Sequence, residues 1–178
     1  YLLMDDGRVA FLDFGMTKRL EPEQIMLEQR AVDAASRDDP GALREALDEI
    51  GFLRDADAID AQRLMDHVKF VGGWYLEDQE LEITPKRVMK MIEVTSDPRS
   101  DFYDMVRKEA VPADELMGRR METGLLAVLA QLRAKANWHR IMREWVYAEK
   151  PSTVLGEAEW RYFERRGTSQ TPGLPSRV

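Results

Sequence analysis

Three consecutive residues near the start of the chain combine a carboxylate, a bulky apolar side chain and a flexible backbone: Asp13, Phe14 and Gly15. They follow residues 2–12, in which an Asp-Gly pair separates two apolar runs. This pattern predicts a β-hairpin, because glycine adopts positive φ without steric cost. A carboxylate held at the end of a hairpin is a hard oxygen ligand of the kind that Mg²⁺ prefers, together with phosphate oxygens and water.

Each member of the tripeptide has a physical use at such a site. Phe14 is expected to pack inward and to fix the direction of the Asp13 carboxylate, while Gly15 lets the chain turn sharply into the next segment. In kinases a tripeptide of this kind holds the metal ion that bridges the nucleotide phosphates. The plainer alternative is a hairpin that ends in an ordinary turn.

Composition excludes several other classes of function. The chain has 178 residues, a net charge of −7 and no cysteine. Disulfides, thiolate catalysis and cysteine zinc sites are therefore excluded, and an acidic chain lacks the basic face that nucleic-acid binding needs. No apolar run approaches the roughly 20 residues of a transmembrane helix. With 44% hydrophobic and 33% charged residues, the composition predicts a soluble, globular chain.

After Gly15 the apolar residues recur with helical spacing, and prolines mark several helix starts. Residues 22–166 are predicted to be helical and residues 167–178 to form a disordered tail. The longest helix is predicted from Pro112 to about Ala136. Its apolar face contains Leu116, Met117, Met121, Leu125, Val128, Leu129 and Leu132. Other starts are predicted at Pro22, Asp39-Pro40, Asp57 or Asp60, Thr84-Pro85, Asp97-Pro98, Asn137 and Glu157.

Two stretches of the chain resemble the ABC1 family, also called UbiB or ADCK, of atypical protein-kinase-like proteins. They are LLMDDGRVAFLDFGMTKRLEPEQ and DDPGALREALDEIGFLRD. In that family an Asp-Phe-Gly is followed by a short basic-apolar link and a Pro-Glu helix. A second helix then ends in Leu-Gly-Phe, here Ile50-Gly51-Phe52. The resemblance covers residues 1–57 well and the remaining helices weakly.

The resemblance implies a mainly α fold, namely a protein-kinase-like C-lobe fragment with one N-terminal β-hairpin (residues 1–15) followed by seven or eight helices. Residues 1–166 would form this part of one kinase-like domain. It also implies ATP and Mg²⁺ as cofactors, a role in isoprenoid quinone or lipid metabolism, and a cytoplasmic location, with or without peripheral membrane contact. Asp13 matches the metal-binding aspartate of the family, and Phe14 and Gly15 match its structural partners.

Several parts of the family pattern are not found in this chain. The family has a His-Ala-Asp-Pro-His-Pro-Gly-Asn-like catalytic loop just before the hairpin, and the chain begins about where that loop would end. The glycine-rich nucleotide loop and the strand lysine are also missing. The chain is therefore expected to be the C-terminal part of a longer protein and, by itself, to be inactive, because phosphoryl transfer needs all these parts together.

Two other interpretations of function stay open. In one, the chain is a non-catalytic helical module that binds a lipid surface or a partner through Trp138, Ile141, Met142 and Trp145, which share one face of a helix flanked by basic residues. Core packing is the competing explanation of that face. In the other, the chain is a fragment of an aminoglycoside- or choline-phosphotransferase-like kinase. Truncation would also expose an apolar surface through which a homodimer forms.

The remaining polar residues show no pattern typical of a metal site. His67 and His139 lie far apart in the sequence without neighbouring ligands, so each is interpreted as a surface or core-edge histidine. The acidic run over residues 77–82 lacks the alternating oxygen ligands and the glycine of a calcium loop. It is interpreted as a solvated loop.

Overall fold

The computed structural model describes residues 2–6, 9–10, 12, 21–113 and 116–166. These residues are mainly helical, as predicted, whereas the predicted tail over residues 167–178 lies outside them. The helices are α1 (Pro22–Ser36), α2 (Pro40–Ile50), α3 (Ala61–Gly72), α4 (Pro85–Ser96), α5 (Tyr103–Lys108), α6 (Leu116–Gln131), α7 (Trp138–Tyr147) and α8 (Val154–Arg166). The strands are β1 (Leu2–Leu3), β2 (Val9–Ala10), β3 (Leu81–Glu82) and β4 (Lys135–Ala136).

Short polar side chains start four of these helices as the sequence predicts. The side chains of Asp39, Asp60, Thr84 and Asn137 each accept a hydrogen bond from the backbone N–H three residues further on. Each bond satisfies one of the N–H groups that have no partner inside the helix. These boundaries follow from local chemistry, and the structure confirms them.

Gly51 ends α2 in the left-handed conformation, with a φ of 91°. Its N–H donates to the carbonyl of Asp48 at 2.8 Å, and the N–H of Phe52 donates to that of Leu47 at 2.9 Å. A side chain at this φ would crowd the backbone, so glycine is the residue that closes the helix at least cost.

The described residues form two small antiparallel sheets, of which the sequence predicted one. The predicted hairpin pairs β1 with β2, with Leu2 opposite Ala10. The second sheet pairs β3 with β4, with Leu81 opposite Ala136. It joins segments more than 50 residues apart, so that no turn signal could indicate it.

Alanine side chains allow α1 and α2 to lie close together, since the contact distance between helices depends on the side chains between them. A methionine of α3 closes this cluster and is completely buried. The cluster contains Ala31, Ala34, Ala35, Leu43, Ala46 and Met65. Two further clusters lie along the chain. One links α3 to α5 through Leu53, Ile59, Leu64 and Met105, and the other links α4 to α6 through Ile83, Val88, Leu126 and Ala130.

Four predicted helix boundaries were wrong. Helix α6 ends at Gln131 and not near Ala136, because Lys135–Ala136 pairs with β3. At its other end, Pro112 lies outside any helix. Helix α5 begins at Tyr103, after a turn that follows the predicted Asp97-Pro98 start, and α8 begins three residues before Glu157.

The predicted apolar face of α6 was also only partly correct. Leu126 and Ala130 are buried against α4 and the end of β3. Most of the predicted face, however, is exposed: Leu116, Met117, Met121, Leu125, Val128 and Leu132. The helix therefore has an inner apolar side that packs on the core and an outer one that faces solvent.

We expect Gly51→Ala to lower the free energy of unfolding by about 1–2 kcal/mol, because a Cβ is disfavoured at positive φ. For a chain of this size this is a fall in melting temperature of about 2–8 °C. Circular dichroism during heating measures the change.

Gly73→Ala is the matched control. Gly73 has a φ of −62°, and no atom of the described structure lies within 4 Å of a Cβ built on it. Alanine should therefore be neutral or slightly stabilising there. Equal losses in the two variants would show that the left-handed conformation is not the reason for glycine at position 51.

Candidate functional site

The hairpin that precedes the predicted metal ligand is formed by backbone pairing of β1 and β2. Strand β2 ends at Ala10, three residues before Asp13. Asp13, Phe14 and Gly15 themselves lie outside the described residues. Their role in binding Mg²⁺ and nucleotide stays a prediction, and the described elements on either side of them are the β1–β2 hairpin and α1.

On the C-terminal side, α1 begins seven residues after Gly15 and is held by α7. The hydroxyl of Tyr147 donates to Oδ1 of Asp33 at 2.6 Å. The side-chain amide of Gln29 donates to the carbonyl of Val146. The end of α7 is thus fixed on α1 by two polar contacts between residues more than 110 positions apart.

The environment of the Tyr147 hydroxyl favours its neutral form. Burial raises the pKa of Tyr147, and the hydrogen bond to Asp33, together with the negative charge of Asp33, raises it further. The guanidinium of Arg143 opposes this shift and lies over the Tyr147 ring, 4.7 Å from its centroid. The tyrosine therefore acts here as a hydrogen-bond donor that stays protonated at neutral pH.

The four residues of α7 that were predicted to contact a lipid or a partner differ in their burial. Trp138 packs against the third core cluster and donates its indole N–H to the carbonyl of Leu81 at 2.8 Å. Ile141 and Met142 are half-buried, and Trp145 is half-exposed. Contact with a lipid surface stays a prediction, for which Trp145 is the most accessible of the four. Among the described helices, none has the length and hydrophobicity needed to cross a bilayer.

Residues 77–80 of the acidic run are exposed, and carboxylates of the run make ion pairs with the segment around β4. Asp78 accepts hydrogen bonds from Arg140 at 2.8 Å and from Asn137 at 2.6 Å. These bonds hold the pKa of Asp78 below its usual value, with Arg140 the largest cause. Lys135 pairs with Glu80 at 2.9 Å. The interpretation as a solvated loop was therefore incomplete, because these carboxylates also attach the loop to α7.

His67 is buried, and its Nε2 lies 2.8 Å from Oε1 of Glu109. The imidazole also meets the ring of Phe102 edge-on, with the centroids 5.3 Å apart. Its Nδ1 has no hydrogen-bond partner among the described residues. Near this pair, the backbones of Leu53 and Glu109 form an isolated antiparallel β-bridge. The histidine lies deeper than the core edge that the sequence predicted, and it joins α3 to the end of α5.

A surface cleft of about 410 Å³ lies between α3, α4 and the loop before α5. Phe70, Val94 and Phe102 supply its apolar lining, and charged residues of both signs surround them. Two local ion pairs lie among these charges, Arg99 with Asp97 at 3.1 Å and Lys90 with Glu93 at 3.4 Å. Within the described ranges, no three acidic or histidine side chains come together as a metal site would require.

Sequence reasoning missed the contacts between α1 and α7. Asp33 and Tyr147 are 114 residues apart, and neither has a local motif that distinguishes it from other surface residues. The amphipathic pattern of α7 indicated that one side of the helix is covered, but it could not identify α1 as the covering element.

The raised pKa of Tyr147 predicts a specific dependence of stability on pH. Below pH 10 the folded and unfolded chains both keep this proton, whereas above it the unfolded chain loses the proton first. Tyr147 should therefore contribute stability that is lost as the pH rises above about 10. At neutral pH we expect Tyr147→Phe to cost about 1 kcal/mol through the lost hydrogen bond. This deficit should stay constant up to about pH 10 and shrink above it in urea titrations.

Tyr162→Phe, on the exposed side of α8, is the control and should match the parent protein at each pH. A loss of unfolding free energy in Tyr147→Phe that is the same at every pH would contradict the expected pH dependence.

No family model, no curated protein and no solved structure matches this chain. Its membership of the ABC1 family therefore stays a prediction from the motifs in residues 1–57.

Proposed function

We propose that this chain is the C-terminal part of an ABC1-type kinase-like protein that uses ATP and Mg²⁺ and serves isoprenoid quinone or lipid metabolism. The observation that carries the proposal is the β1–β2 hairpin. It pairs Leu2 with Ala10 and ends three residues before Asp13. A metal ligand requires a carboxylate of restricted direction, and the paired strand that precedes Asp13 is the element that would provide this restriction.

The two helices after the tripeptide support the proposal. Helix α1 begins at Pro22, after the basic-apolar link, and α2 ends at Ile50, followed by Gly51 in the left-handed conformation. Their packing against each other and against α3 supports the predicted helical region on the C-terminal side of the tripeptide. The order of hairpin, link and two helices is therefore consistent with the ABC1 pattern.

A single carboxylate from this chain fits the coordination of Mg²⁺. The ion takes one or two protein carboxylates and completes its shell with phosphate oxygens and water. Asp13 would hold the ion, Phe14 would orient the carboxylate, and Gly15 would allow the turn toward α1. The bound ion supplies electrostatic stabilisation of the charge on the nucleotide phosphates.

We expect Asp13→Asn in the full-length protein to lower Mg²⁺-dependent ATP turnover at least about 100-fold, because a carboxamide binds Mg²⁺ more weakly than a carboxylate does. Binding of a fluorescent ATP analogue, with and without Mg²⁺, separates loss of binding from loss of turnover.

Asp5→Asn is the matched control, since Asp5 lies exposed in the turn of the same hairpin. It should leave ATP binding and turnover unchanged. Unchanged Mg²⁺-dependent binding and turnover in Asp13→Asn would overturn the proposal. Stabilisation by quinone-like lipid vesicles but not by Mg²⁺-ATP would instead favour the non-catalytic module.

A further inference from the structure

One side of α6 is apolar and open to solvent although the opposite side packs in the core. Leu126 and Ala130 are 6% and 3% exposed on the inner side. The outer α6 face consists of Met117, Met121, Leu125, Val128 and Leu132, which are 45% to 72% exposed. Leu132 still belongs to this face, because its N–H donates to the carbonyl of Val128 at 3.0 Å and so continues the helical path.

The apolar area of this face is larger than the area that single, scattered apolar residues expose. Five side chains exposed to this degree present about 500 Å², which is near the upper end of the apolar patches on monomeric proteins. Two such faces pressed together would bury about 1,000 Å², the area at which specific interfaces begin. An interface of that size predicts weak association, at micromolar concentrations.

The outer α6 face has a symmetric order along the helix. Gly124 and Leu125 occupy its middle. Met121 and Val128 each lie three residues from the nearer of these two, and Met117 and Leu132 each lie seven residues away. When two copies of the helix run antiparallel, Met117 of one copy is therefore level with Leu132 of the other. In the same way, Met121 is level with Val128.

The middle of the face favours the antiparallel direction. No atom of the described structure lies within 4 Å of a Cβ built on Gly124. In an antiparallel pair, Leu125 of one copy would fill this space beside Gly124 of the second copy. In a parallel pair, glycine would face glycine, which would leave a gap in the middle of the contact.

The charges on α6 are compatible with this arrangement. In the same register, Arg120 lies level with Leu129 of the second copy, and Glu122 lies level with Ala127. Neither charge meets a like charge, and the helix dipoles run in opposite directions. A membrane surface is the less favoured occupant, because anionic lipids would repel a chain of net charge −7.

From these observations we infer that the outer α6 face binds a second copy of this chain, with the two α6 helices antiparallel and Gly124 against Leu125 at the twofold axis. The contact is isologous, so that it closes as a dimer and does not propagate. The methionines on the face allow its side chains to adapt to each other.

Sedimentation measurements across micromolar concentrations test the inference. The protein should pass from monomer to dimer as its concentration rises, and Leu125→Arg should weaken the association at least 10-fold. Leu155→Arg is the matched control, since Leu155 is exposed on α8 and lies outside the face. Circular dichroism confirms that both variants remain folded.

Cysteine cross-linking tests the direction of the helices, since the chain has no cysteine of its own. Mixing Met121→Cys with Val128→Cys protein should give a disulfide between the two, whereas each variant alone should not cross-link. In the antiparallel register, two copies of position 121 lie about 10 Å apart along the axis, beyond the reach of a disulfide.

Three results would overturn the inference. The first is a monomer at every concentration, and the second is a dimer that Leu125→Arg leaves intact. The third is cross-linking of each single-cysteine variant with itself, which would indicate parallel helices. Binding to lipid vesicles that Leu125→Arg abolishes, in a protein that stays monomeric, would assign the face to a membrane instead.

Discussion

The close packing of α1 against α2 is the constraint on which the rest of the structure depends. Alanines on α1 leave room for Leu43 and Ala46, and Met65 of α3 seals the space between the three helices. Among the described residues, α1 is the first helix that follows the Asp-Phe-Gly tripeptide in the sequence, so this packing positions the nearest described element on the C-terminal side of the tripeptide. The contact between Tyr147 and Asp33 then fixes α7 on the same helix.

Helix boundaries set by neighbouring residues could be predicted from the sequence. The caps at Asp39 and Thr84 and the glycine after Ile50 are local features, and the structure has them where the patterns placed them. Features that depend on distant residues could not be predicted. The pairing of Leu81 with Ala136 has no local signal. Periodicity likewise showed that α6 is apolar but not which of its sides the core would cover.

The same distinction between local features and distant contacts applies to the candidate site. The hairpin before Asp13 could be predicted, because an Asp-Gly turn between apolar runs is a local signal, and its strands do pair. The residues that hold the following helix in place, Asp33 and Tyr147, come from opposite ends of the chain. The sequence therefore indicates the Asp-Phe-Gly tripeptide and the hairpin before it. The contacts that hold the following helix in place can be identified only from the fold.

The exposed methionines make the outer α6 face sensitive to oxidants in its surroundings. Met121 is 70% exposed and Met117 is 45% exposed, so that oxidants can reach both thioethers. Conversion to the sulfoxide adds a polar oxygen and makes an apolar contact unfavourable, and methionine sulfoxide reductases reverse it. Without any cysteine in the chain, these thioethers are the sulfur groups through which oxidative stress would act on this helix.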